Sequence, residues 1–127
     1  MAASSRAYVS ATRSCPTNQL LDRISDKWVS LVVAALSTGP MRYSDLGRKI
    51  AGVSPKMLTQ TLRTLERDGI LTRSVTPSVP VRVDYELTPL GSSLATLLTA
   101  VKDWAETNFD EVHAARERYD TDGQDTP

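Results

Sequence analysis

A mainly α domain with a small β wing, an α+β arrangement, is predicted by three observations on this sequence. The first is Gly52 to Leu71, GVSPKMLTQTLRTLERDGIL, which carries a helix start, a helix stop and two chemically different faces. The second follows it. Leu71-Thr72-Arg73-Ser74-Val75 and Val81 to Leu87 have strand character, and Thr76-Pro77-Ser78-Val79-Pro80 between them is a turn with two prolines. The third precedes it: a short helix, then Ala51-Gly52-Val53 as a three-residue turn containing glycine. Helix, turn, helix and hairpin in that order make a winged helix-turn-helix.

Along the chain, residues 1–14 are small and polar and read as a flexible arm. Asn18 to Ile24 reads as a short helix with Leu20, Leu21 and Ile24 apolar. Asp26 caps a second helix carrying Trp28, Val29, Leu31, Val32, Val33 and Leu36. That helix is apolar around most of its surface, which places it at the centre. Thr38-Gly39-Pro40 ends it, and Met41 to Tyr43 reads as a short strand of the wing sheet. Ser44 is the expected cap of a third helix, Asp45 to Ile50, with Leu46 and Ile50 facing in.

In the recognition helix, Ser54 is the N-cap and Pro55 suits the first helical position. Leu58, Leu62 and Leu65 share one face and enter the core. Lys56, Thr59, Gln60 and Arg63 share the other. Asp68-Gly69 stops the helix, with Gly69 free to take a left-handed conformation. In the second strand Val81, Val83, Tyr85 and Leu87 alternate inward, while Asp84 and Glu86 share the outer face as solvated charges. Thr88-Pro89 then opens a long helix with an apolar stripe of Leu90, Leu94, Leu97, Leu98, Val101, Trp104 and Ala105. The tail from about Tyr119 reads as disordered.

The domain organisation is therefore an arm over 1–14, one winged domain with a C-terminal dimerisation helix over 15–112, and a helix end with an acidic disordered tail over 113–127. One domain is what 127 residues fit. A second copy is the expected cover for the long stripe, so N- and C-terminal helices form a dimer interface through Leu20, Leu94, Leu97, Leu98, Val101 and Trp104.

Formal net charge is zero, yet the charges are segregated. From Arg42 to Arg82 there are eight basic residues and three acids; from Asp103 onward there are eight acids and two arginines. The positive part coincides with the helix and wing, as a DNA-facing surface requires. One Cys and one His exclude an internal disulfide, a structural zinc site and any credible catalytic constellation. The expected protein is not an enzyme, needs no cofactor or metal, and has no signal peptide or membrane span, which makes it cytoplasmic.

The matching residues Cys15-Pro16, Gly39 to Leu46, Ser54 to Thr59, Leu62-Arg63, Leu65-Glu66, Asp68-Gly69, Val79-Pro80, Arg82-Val83, Tyr85 and Leu87 to Gly91 span roughly residues 15 to 105. In this order and spacing the chain resembles the HxlR-type transcriptional regulators, winged-helix relatives of the MarR group. Val81 departs from the second proline usual there, which loosens the wing tip. The resemblance implies control of a neighbouring gene. It also implies that Cys15 can respond to oxidants, quinones or aldehydes, as some family members do at this Cys-Pro position.

The residue-level expectations follow from chemistry. Gln60 suits a bidentate contact to adenine; Arg63 reads guanine or holds a phosphate. Ser54 and Lys56 anchor phosphates at the helix N-terminus. Thr59 and Met57 can touch a thymine methyl, Met57 being equally suited to the core. Arg73, Ser78 and Arg82 place the wing on the backbone or in the minor groove. Cys15 is either a half-buried hydrophobe or a thiol sensitised by the helix N-terminus and Arg13. Trp28 is read as core, Trp104 as dimer seam, and His113 as chemically idle. The function expected is a homodimeric, sequence-specific DNA-binding transcriptional regulator on an inverted-repeat operator, tuned by an oxidant or small molecule. The alternatives are a winged-helix protein-interaction module and a ligand-responsive regulator without thiol sensing.

Overall fold

Pro16 occupies the first position of helix α1 (Pro16–Ile24), with Cys15 as its N-cap residue. The computed structural model describes residues 15–122. The arm expected over 1–14, Arg13 included, and the last five residues of the tail lie outside the described residues. Two units are distinguished, residues up to Ala95 and residues from Thr96.

In the first unit, helix α2 (Lys27–Leu36) supplies the largest share of the core: Val29, Val32, Val33, Ala35 and Leu36 are buried. Its start is fixed by Asp26, whose carboxylate accepts the N–H groups of Trp28 at 2.8 Å and Val29 at 3.2 Å. Trp28 itself is half-buried rather than core, with Lys27 Nζ 5.0 Å from its ring centroid. The next elements are strand β1 (Met41–Arg42), helix α3 (Tyr43–Lys49), helix α4 (Pro55–Arg67), strands β2 (Leu71–Thr76) and β3 (Arg82–Leu87), and helix α5 from Pro89. The three strands form an antiparallel sheet in the order β1-β3-β2.

Two boundaries differ from the sequence expectation. Arg42, not Ser44, holds the cap position of α3, and Tyr43 is its first residue rather than the end of β1. Pairing with β3 decides this: Met41 opposes Tyr85 and Arg42 opposes Asp84, after which the strand has no further partner residue. Val81 is outside β3 and 62% exposed, because the last paired residues are Thr76 and Arg82. The inward alternation thus holds for Tyr85, which is buried, and in part for Val83 and Leu87, which are half-buried.

Helix α4 behaves as its pattern requires. Leu58, Leu62 and Leu65 are at most 1% exposed, and Thr61 is buried beside them. Each such leucine contributes about 1.5–3 kcal/mol by leaving water. At its end the N–H of Ile70 donates to Leu65 O and that of Gly69 to Glu66 O, with Gly69 at φ 77°. This is the Schellman closure, which a residue with a Cβ adopts only under strain.

Thr88 then ties the start of α5 to that same closure. Its hydroxyl donates to Gly69 O at 2.6 Å and its N–H to Ile70 O at 3.0 Å, while Gly91 N–H donates back to Thr88 Oγ1 at 3.1 Å. Leu94 is 9% exposed and belongs to this unit's core, so it is withdrawn from the expected dimer seam.

The described part of the second unit is helical. Helix α5 runs from Pro89 to Asp122, past the point near Tyr119 where disorder is expected. The residues there, Arg116-Glu117-Arg118, are good helix formers, and the first glycine beyond them is Gly123. Leu97, Val101, Trp104 and Phe109 are exposed and Leu98 is half-buried. His113 stacks on Phe109 at 5.8 Å between centroids and places Nε2 2.9 Å from Glu117 Oε1. No helix among the described residues is long and apolar enough to cross a membrane.

Gly91 yields a direct test of this packing. A Cβ there would lie 2.0 Å from Ile70 O and 3.0 Å from Leu87 Cδ2. Gly→Ala inside a helix ordinarily stabilises by up to about 1 kcal/mol, but the clash reverses the sign. Gly91→Ala is expected to lose about 1–3 kcal/mol, read as a lower thermal midpoint; an unchanged or higher midpoint would show that α5 does not approach Ile70 so closely.

Candidate nucleic-acid interface

The outward face of α4 is set by its inward one. With Leu58, Leu62 and Leu65 buried, Lys56, Gln60 and Arg63 are exposed, and so is Met57, which is therefore not core. Ser54 caps the helix by accepting the Met57 N–H at 3.1 Å. The remaining N–H groups of the first turn and the helix dipole favour an anion at this end. Thr59 is different from its neighbours. It is half-buried, and its hydroxyl lies 2.9 Å from the Tyr43 phenol oxygen.

The wing supplies the second group. Arg73 is exposed on β2 directly opposite Tyr85. Burial pushes the Tyr85 phenol up, while the Arg73 guanidinium that hydrogen-bonds it pulls the other way. Arg82 Nε donates to both carboxylate oxygens of Asp84, at 3.2 and 2.9 Å. Asp84 is thus half-buried and engaged rather than simply solvated. It also leaves the two terminal guanidinium nitrogens of Arg82 for other acceptors. Ser78, near the tip, donates its hydroxyl to Pro80 O at 2.7 Å.

Arg73, Ser78 and Arg82 line a cleft of about 590 Å³ together with Arg42, Tyr43 and Ser44 at the start of α3. Three guanidinium groups around one open cleft can hold a phosphodiester backbone. Arg42 is the member the sequence reading missed. Only the pairing of β1 with β3 brings it beside the wing, and no local signal in Met41-Arg42 announces that partner.

Three aspartates near this surface are engaged. Asp45 pairs with Arg48, Asp84 with Arg82, and Asp68, at the end of α4, with Arg23 of α1. Lys56 and Arg63 have no ion-pair partner among the described residues. Among the described residues no group of three His, Cys, Asp or Glu is placed to hold a metal.

The other candidates lie apart from α4 and the wing in sequence and element. Leu20, Leu97, Val101 and Trp104 are exposed apolar side chains on α1 and α5. Cys15 is half-buried at the start of α1. The backbone N–H groups of Asn18 and then Thr17 hold its thiol below the ordinary value, against a small opposing effect of burial.

Comparison with known proteins places this geometry among regulators. A family profile described as HxlR-like helix-turn-helix matches residues 23–113. The chain is 47% identical over 103 residues to the uncharacterized HTH-type transcriptional regulator YtfH of Escherichia coli (strain K12), covering 81% of this chain and 82% of that one. A solved structure of a candidate transcriptional regulator ytfH from Salmonella typhimurium is 44% identical, with a TM-score of 0.76 over 84% of this chain and 95% of the other. The redox regulator HypR in its reduced form is 34% identical, with a TM-score of 0.71 over 79% and 99%.

The Cys15 geometry predicts a pH effect. The thiol ionises below its ordinary value, so the thiolate is present at lower pH than in an unfolded chain, and alkylation follows it. Iodoacetamide labelling of this single cysteine is expected to reach half its maximal rate at a lower pH in the folded protein than in denaturant. Coincident profiles would show that the helix start does nothing for the thiol.

Proposed function

The chain belongs to the HxlR-like helix-turn-helix family of transcriptional regulators, and on that premise we propose that it binds a specific DNA sequence as a homodimer. The observation that carries this reading is the division of α4: three leucines locked in the core, and Lys56, Gln60 and Arg63 exposed opposite them beyond a capped N-terminus. Its relatives are regulators, not enzymes.

In the proposed complex two α4 helices enter successive major grooves of an inverted repeat, about one helical turn (~34 Å) apart. Gln60 and Arg63 contact base edges, Ser54 and Lys56 a phosphate, and the Thr59 methyl a thymine methyl. The wing, through Arg73, Ser78 and Arg82 and with Arg42 beside them, braces the backbone. Phosphate contacts supply most of the affinity and make it fall steeply with salt. Leu20, Leu97, Leu98, Val101 and Trp104 meet a second copy. Acting on the chromosome, the protein works in the cytoplasm.

Two substitutions separate the roles. Lys56→Ala is expected to weaken binding to all duplexes alike and to reduce the salt slope by about one. Gln60→Ala is expected to relax preference at one base pair per half-site by roughly 1–3 kcal/mol while leaving the salt slope as it is. Quantitative binding to a selected duplex and to unrelated duplexes, across salt, checks both. A selective loss from Lys56→Ala, or unchanged preference in Gln60→Ala, would reassign these residues.

The lowered Cys15 thiol favours a second layer, regulation by oxidants or electrophiles, and the likeness to HypR supports it. Cys15→Ser is expected to keep DNA affinity and to lose any response to diamide or a quinone; a mutant that still responds has its sensor elsewhere, as a ligand-responsive regulator would.

A further inference from the structure

We propose that Tyr43 is a positioning residue for base recognition. Its phenol is a strut between the start of α3 and the first turn of α4, and it sets where Lys56 and Gln60 meet DNA. The inference rests on the DNA-binding reading and deepens it.

Tyr43 makes two hydrogen bonds to α4. Its hydroxyl donates to Pro55 O at 3.1 Å, and its oxygen lies 2.9 Å from Thr59 Oγ1. The directions are fixed by inventory. A carbonyl oxygen only accepts, so the phenol proton goes to Pro55, and the Thr59 hydroxyl donates to the phenol oxygen. Thr59 therefore spends its one proton inside the protein. Pro55 and Thr59 are one helical turn apart, and they bracket Lys56 and adjoin Gln60. The strut thus grips the very turn that carries the reading side chains.

On its other side Tyr43 lies near Tyr85, the wing residue that Arg73 hydrogen-bonds. Tyr43 and Tyr85 line the same cleft as the wing cation Arg73, so the strut stands where the wing meets α4. The buried leucines fix the rotation of α4, but they are slippery contacts and tolerate small tilts. Directional bonds to its first turn do not. A bidentate base contact holds only within about 0.5 Å of the right geometry, so the strut acts on selectivity rather than on phosphate binding.

The test uses the full chain as wild type, Tyr43→Phe, Thr59→Val and the double variant. Each is challenged with a pool of duplex DNA whose central positions are randomised, then titrated on the selected duplex and on unselected duplexes across salt. The wild type is expected to select a sequence. Each single variant is expected to lose about tenfold of the preference at the base pair that Gln60→Ala identifies. Affinity for unselected duplexes falls by less than affinity for the selected one, the salt slope is kept, and the double variant is no worse than either single one. Both substitutions keep the side-chain volume, and Thr59→Val probes the same bond should Tyr43→Phe fold poorly. Wild-type preference in both variants overturns the strut and leaves the DNA reading intact. Equal loss on selected and unselected duplexes overturns it too. Losses that multiply in the double variant assign the Thr59 hydroxyl to DNA instead. A wild type that selects nothing removes the DNA reading, and the strut with it.

Discussion

A helix locked into a core by one face can offer only the opposite face to the outside, and this constraint on α4 organises everything else. Turning α4 about its axis would expose Leu58, Leu62 and Leu65, which are at most 1% accessible, and would drive Lys56 or Arg63 toward the core. The first change costs about 1.5–3 kcal/mol per leucine, and the second costs several more for an unpaired buried charge. Rotation is therefore fixed by leucine burial on one face and by the cost of burying a charge on the other. Axial position is fixed separately, by the Ser54 cap at one end and the Gly69 closure at the other. What remains adjustable is tilt, and only directional contacts such as those of Tyr43 act on it.

Charge is arranged by the same logic of removing alternatives. The chain is neutral as a whole, which would make a poor polyanion ligand if its charges were mixed. They are not mixed. The basic stretch spans the helix and wing; two of its three acids, Asp45 and Asp68, are held by an arginine, and so is Asp84 just beyond it. A carboxylate already accepting from a guanidinium repels a phosphate less than a free one does. The pairing of Asp84 with Arg82 has a further consequence. It uses Nε and so presents the guanidinium edge-on, which constrains a long side chain that would otherwise lose entropy on binding.

How much of this was legible in the sequence depends on whether a signal was local. Ser54, Pro55, Asp68 and Gly69 announce α4 because caps and closures act within a few residues. The leucine spacing announces its buried face because helical period is local too. Thr88 as the cap of α5 was readable; that it also clasps the carbonyls of Gly69 and Ile70, and that this forces glycine at Gly91, was not. The misplaced cap at Ser44 has the same origin. Its local preference is real, but β1 pairs with β3, and a strand register forty residues away decides where α3 begins. Arg42, Tyr43 and Asp84 gained their places in the site only through that register. Leu94 read as seam because a stripe at helical spacing does not say where along the helix the core ends.

Helix α5 closes the problem that the core leaves open. Leu97, Val101 and Trp104 are four and three residues apart, so they share one face, and all are exposed. An aromatic side chain alone offers about 150–250 Å² for burial, and a contiguous apolar stripe on a free surface marks an interface more often than not. In the proposed dimer such an interface has to communicate with the reading helices. The chain provides a short route. The stripe is covalently continuous with Thr88, and Thr88 bonds the two carbonyls that close α4. A rearrangement between copies would reach the end of the recognition helix through that clasp, and its start through whatever disturbs Tyr43. An effector of the proposed dimer would have two ends of one element, α4, to act on, and would need to unfold nothing to move it.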